Sequence, residues 1–105
     1  MTTMGKLQKL RVSDISAQDL ESFLRLGQCD EGERRFLEQL LVAATSYLCS
    51  ATGLTAEQVD GHSEFVYAAM VLVSHMYDNR SFYVGADYSN HMVQHVINLH
   101  RVNYA

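Results

Sequence analysis

Residues 65–73 read FVYAAMVLV, nine apolar side chains in succession, and no other stretch of the 105-residue chain is as continuously apolar. A run of this kind has to be covered on most of its surface, so it marks where the core lies. Taken alone it suits either a buried strand or a buried helix. Three features choose helix. The apolar spacing continues through Met76 and Tyr77, which is longer than a usual strand. Ala68, Ala69, Met70, Leu72 and Met76 are good helix formers. Ser63 stands where an N-cap would start the element. The run closes on a polar signature, His75, Tyr77, Asn79 and Arg80. The chain contains no proline, so the commonest helix breaker is missing everywhere and the helical reading extends to the remainder.

The rest of the chain is read by what covers that helix. In residues 16–26, Ser16 and Asp19 have capping-box spacing, Ile15 and Leu20 have staple spacing, and Gly27 is a natural stop. Asp30 and Glu33 repeat the capping pattern at the head of residues 31–52. There Phe36, Leu37, Leu40, Leu41, Ala44, Tyr47, Leu48 and Ala51 hold a helical period over several turns, and Gly53 is the expected left-handed terminator. Residues 54–61 hold at most a short helical turn capped by Thr55. Residues 81–88 read as a loop excursion, and Ser89 is placed to cap a last helix over residues 89–101. The expectation is an all-α bundle of four helices, about 16–26, 31–52, 63–79 and 89–101. A tail over residues 1–12, of which Leu7, Leu10 and Val12 can dock, precedes a single domain over residues 13–105.

Composition excludes several functions. The net charge is −4 with histidines neutral, the wrong sign for a protein that wraps nucleic acid, although an acidic bore can let a polyanion slide through. Cys29 and Cys49 have no metal-binding or redox spacing and read as free thiols of a reducing compartment. The N-terminus lacks an apolar signal core, and no run reaches the roughly 18 apolar residues of a membrane span. A soluble protein made in the cytoplasm is expected.

No phosphate loop, metalloprotease helix or nucleophile triad is present, so an enzyme is not expected, nor a cofactor or metal. His91 and His95 share a helical face with His100 nearby. Without a third ligand they read as an exposed, titratable surface. His75 and Asn79 are four apart and read as a buried hydrogen-bonded pair. Arg80, in the last turn, suits the negative helix end and can bind carbonyls or a carboxylate. Phe82, Tyr83 and Tyr88 are either core anchors or contacts offered to a partner. The helix over residues 65–77 is apolar on nearly every side, which leaves room for a neighbouring subunit.

Three stretches together resemble the head–tail connector, or adaptor, proteins of long-tailed bacteriophages and prophages. They are Leu20-x-x-Phe23-Leu24-Arg25-Leu26 with acids at Asp30 and Glu31, Ala43-Ala44-x-x-Tyr47-Leu48-x-x-x-Thr52-Gly53, and Ala69-x-x-Leu72-Val73-x-His75-x-Tyr77-x-Asn79-Arg80. They occur in the family's order. The chain departs in lacking a proline before the third helix and in the short segment preceding it.

The resemblance implies a helical protomer that closes into a ring of about a dozen copies at the head–tail junction of the virion. The ring would sit beneath the portal protein, receive a stopper or tail-completion protein, and pass double-stranded DNA through its bore without reading it. It also implies that His75, Tyr77, Asn79 and Arg80 form a structural latch rather than an active site. The rival expectation is a generic small helical interaction module or regulator that binds one partner helix in a groove.

Overall fold

The computed structural model describes residues 11–85 and 88–101. Among them there are five α-helices and no strand: α1 Ala17–Leu24, α2 Glu31–Thr52, α3 Ala56–Asp60, α4 Glu64–Asn79 and α5 His91–His100. The all-α expectation is met, with four long helices at the expected places. The turn expected at residues 54–61 is a real five-residue helix, opened by a reciprocal capping box between Thr55 and Gln58. The expected tails over residues 1–10 and 102–105, including the docking of Leu7 and Leu10, lie outside the described residues, as do positions 86 and 87.

Helices α2 and α4 make the principal pairing. The first turn of α2 meets the last turn of α4 through Glu33 and Tyr77, so they run antiparallel. Leu37, Leu40, Ala44 and Leu48 form the buried stripe of α2. Phe65, Ala68, Ala69, Leu72, Val73 and Met76 form that of α4. Each large apolar side chain buried here contributes roughly 1.5–3 kcal/mol relative to exposure, while the small Ala44, Ala68 and Ala69 let helix surfaces approach closely. Helix α5 returns antiparallel to α4, since Tyr88 just before it lies against His75 and His100 at its end lies against Phe65. Its Val93, Val96 and Ile97 complete the core.

The rest of the chain covers most of α4. The strip left uncovered follows Tyr67, Val71, Ser74 and Asp78, at helical spacing, with Tyr67 and Asp78 exposed and the other two half-buried. Phe23 of α1 meets the Tyr67 ring edge-on at 5.6 Å. The space expected for a neighbouring subunit is therefore a narrow strip rather than a whole face.

The helix ends carry the main corrections. Ser16 and Asp19 form the expected capping box, and Ile15 and Leu20 are both buried, as a staple requires. Helix α1 nonetheless stops before Gly27. Arg25 adopts the left-handed conformation at φ 60°, with Arg25 N–H donating to Ser22 and Leu26 N–H to Glu21, the double bond of a Schellman ending. Asp30 caps α2 through Glu33 N–H, but among the described residues no return bond from Glu33 completes a box, because that carboxylate is engaged elsewhere. Ser63 makes no capping bond to α4. Its backbone is already helical, so its side chain does not face the free N–H groups. Asn90, not Ser89, caps α5, accepting from Val93 N–H at 3.0 Å. Gly53 ends α2 at φ 83° as expected.

Val12, assigned to the tail, is 1 % exposed within a 3-10 turn, Val12–Asp14. The turn is tied to the end of α3 by Ser13 N–H donating to Asp60. A single buried valine carries no periodicity, so its burial could not be read from the sequence beyond the possibility of docking.

Candidate functional site

The polar end of α4 is a second Schellman ending. Arg80 sits at φ 49° and ψ 46°, its N–H donates to Tyr77 carbonyl, and Ser81 N–H reaches back to Met76. A left-handed conformation costs an ordinary L-residue about 1–2 kcal/mol, and glycine is the usual occupant. Among the described residues Arg25 and Arg80 are the two non-glycine residues at positive φ.

What holds Arg80 there is its side chain. The guanidinium lies over the rings of Phe36, at 4.9 Å, and Tyr77, at 4.8 Å. Its Nη2 is 3.5 Å from Glu33 Oε2. The Tyr77 hydroxyl donates to the same carboxylate oxygen. Phe82, two residues past Arg80, meets Phe36 edge-on at 5.6 Å. Glu33 thus receives a phenol and a guanidinium, and Phe36 is enclosed by Arg80, Tyr77 and Phe82. The Tyr77 hydroxyl is held above its ordinary value, first because it donates to the Glu33 carboxylate and then by burial.

The four polar residues at the helix end therefore divide. Tyr77 and Arg80 join the start of α2. His75 and Asn79 do not, and they do not form the expected buried pair. Asn79 is exposed, and its amide donates to the His75 backbone carbonyl at 2.8 Å, with the ring nitrogen only at 3.5 Å. The backbone carbonyl is thus the nearer acceptor. The His75 ring packs instead against Tyr88, centroids 4.1 Å apart and planes inclined at 43°. Tyr88 is raised above its ordinary value, chiefly by burial.

The loop aromatics divide in the same way. Tyr88 is an anchor, Phe82 is half anchored at 42 % exposure, and Tyr83 is 81 % exposed. Ser81 Oγ accepts from Tyr83 N–H and donates to its carbonyl, so the loop backbone is held as it leaves the latch. Val42 and Leu99 are further exposed apolar side chains.

Glu33 and Phe36 are the residues of this helix end that sequence reasoning did not assign here. Glu33 reads as a capping partner and Phe36 as ordinary core. An acid and an aromatic one turn apart give no sign that a helix end forty-odd residues later will dock on them. His91 and His95 are both exposed. His100 turns the other way, toward His62 and Glu64 at the start of α4. Cys29 and Cys49 are free and half-buried, and both thiols are pushed up, by desolvation first, which disfavours the nucleophilic thiolate. Among the described residues no helix is long and apolar enough to cross a membrane. Comparison with family models, with curated proteins and with solved structures returned no match for the chain.

Proposed function

We propose that the chain is a structural assembly subunit, a head–tail connector of a long-tailed bacteriophage or prophage. It would close into a ring beneath the portal, receive the stopper or tail-completion protein, and let DNA pass through its bore. The observation that carries this reading is the helix end at Arg80. It is a strained backbone position, held by a cation over two rings and a shared carboxylate, from which an exposed Tyr83 projects. Rigid exposed aromatics are economical contact anchors, because little side-chain freedom is lost on docking. The third of the resemblance stretches, residues 69–80, ends at this helix end.

Ring closure would use heterologous contacts repeated about an axis, with Tyr83 and the exposed strip beside Tyr67 as the surfaces offered to neighbours. The net charge of −4 suits a bore that does not grip the phosphate backbone. Contacts this small favour a subunit that stays monomeric until a template presents several at once.

Electron microscopy of the purified protein, alone and with the portal of the same phage or prophage, tests the reading. Rings or decorated portals are expected, and Tyr83→Ala is expected to abolish them while leaving the thermal melt unchanged. A protein that neither forms rings nor binds portal under either condition is instead the generic helical interaction module, and the connector reading fails.

A further inference from the structure

At the end of the bundle opposite the Arg80 latch, three side chains converge. His62 precedes α4, Glu64 opens it, and His100 closes α5. One ligand atom from each can be chosen so that all lie within 4.8 Å of one another. Helix α4 is sixteen residues long, so this cluster is about 24 Å from the latch and independent of the proposed assembly surface.

The His100 ring is the centre of the cluster. It lies 4.1 Å from the His62 ring and 5.1 Å from Phe65, centroid to centroid. Its Nε2 is buried and has no hydrogen-bond partner. The Glu64 carboxylate oxygen is 3.5 Å away, near enough to attract a cation but not hydrogen-bonded to the ring nitrogen. A buried polar nitrogen without a partner is costly, and native structures seldom leave one. Among the described residues it is the single side-chain atom left in that condition. The backbone around it is fixed, since the His62 carbonyl accepts Phe65 N–H at 3.1 Å.

We propose that His62, Glu64 and His100 form a zinc-binding site that pins the start of α4 to the end of α5. Two imidazoles and one carboxylate are a common donor set for zinc, with a fourth position left to water. Tetrahedral zinc at about 2.0–2.1 Å from each donor places the donors roughly 3.3 Å from one another. The ligand atoms must therefore close by at most about 1.5 Å, which side-chain rotation of the exposed Glu64 and half-buried His62 can supply. Nitrogen donors select zinc and its transition-metal neighbours over magnesium or calcium, which take oxygen. The Phe65 ring shields one side of the site, as an apolar shell does around a structural metal. The ion satisfies the orphaned nitrogen and ties together two helix ends that meet through the His62 and His100 rings and the Glu64 carboxylate.

The test is calorimetric titration of the tag-free protein with zinc chloride, with thermal melts in zinc, in magnesium and in chelator. One zinc per chain is expected, with a Tm rise of about 4 °C or more at large excess over Kd and none with magnesium. His62→Ala and Glu64→Gln, both at accessible positions, are expected to weaken binding more than about tenfold. His100→Ala is expected to abolish it, and His91→Ala/His95→Ala to leave it unchanged. Absence of zinc binding overturns the proposal. So does binding that survives in His62→Ala and Glu64→Gln, or that disappears in His91→Ala/His95→Ala, which would place the ion on the exposed face of α5. Assembly on the portal is measured separately, so failure here leaves the connector reading standing.

Discussion

Two arginines occupy the same unfavourable backbone conformation at the ends of α1 and α4, yet only one has a side chain with partners. Arg25 is exposed, and among the described residues it makes no ion pair or ring contact. Replacing it by glycine removes about 1–2 kcal/mol of left-handed strain and returns about 0.5–1 kcal/mol through the freer unfolded chain. Arg25→Gly is therefore expected to stabilise by about 0.5–1 kcal/mol, a Tm rise of about 2–8 °C for a domain of this size. Arg80→Gly gains the same backbone relief but forfeits two cation–ring contacts, worth about 0.5–1 kcal/mol each at an exposed site. It also loses an ion pair that solvent screening reduces to about 0–1 kcal/mol. The net expectation is a loss of about 0.5–2 kcal/mol. Arg80→Ala keeps the strain and loses the contacts, so it should be the least stable of the set, about 1 kcal/mol below Arg80→Gly. Urea denaturation of the four proteins, with Tm as a second measure, decides the matter. A lowered stability in Arg25→Gly, or an Arg80→Gly as stable as Arg25→Gly, would refute the claim that the Arg80 side chain holds this helix end.

Two further expectations rest on single groups. Thr52 is 1 % exposed, donates to Leu48 carbonyl at 2.7 Å and accepts from Leu54 N–H at 3.1 Å. Thr52→Val keeps the shape but strands that N–H, and should cost about 1–2 kcal/mol in chemical denaturation, whereas an unchanged midpoint would show that the chain past Gly53 rearranges freely. Tyr77 is raised in the folded state by its bond to Glu33, so its contribution is complete below the ordinary tyrosine value of about 10 and is lost as pH rises through the folded-state value. The stability difference between the native protein and Tyr77→Phe should hold constant up to that region and shrink above it, and a difference that grows with alkali would contradict the assigned bond.

How much was legible in advance follows from the range of each interaction. Periodicity, caps and terminators act within about one turn. Ser16–Asp19, Asp30, Thr55, the stripe of α2 and Gly53 could therefore be read directly. Ser63 and Ser89 misled because several adjacent residues can cap, and the backbone angle at the entry chooses among them. Arg25 and Arg80 were hidden as left-handed residues because the statistics of that position favour glycine, and Gly27 stood close by as a decoy.

The sequence by itself determined that the chain is helical, where its long helices lie, and that residues 65–73 form the buried centre. Those properties depend on side-chain spacing along one segment. The tertiary structure alone decided which polar groups meet. Tyr77 finds Glu33 across 44 residues because α2 and α4 run antiparallel, and His100 finds His62 and Glu64 because α5 returns along α4. Neither encounter leaves a local trace, since each depends on helix length, direction and packing together. The apolar run marked the core, and antiparallel packing placed a cation-and-ring latch at one of its ends and a histidine cluster at the other.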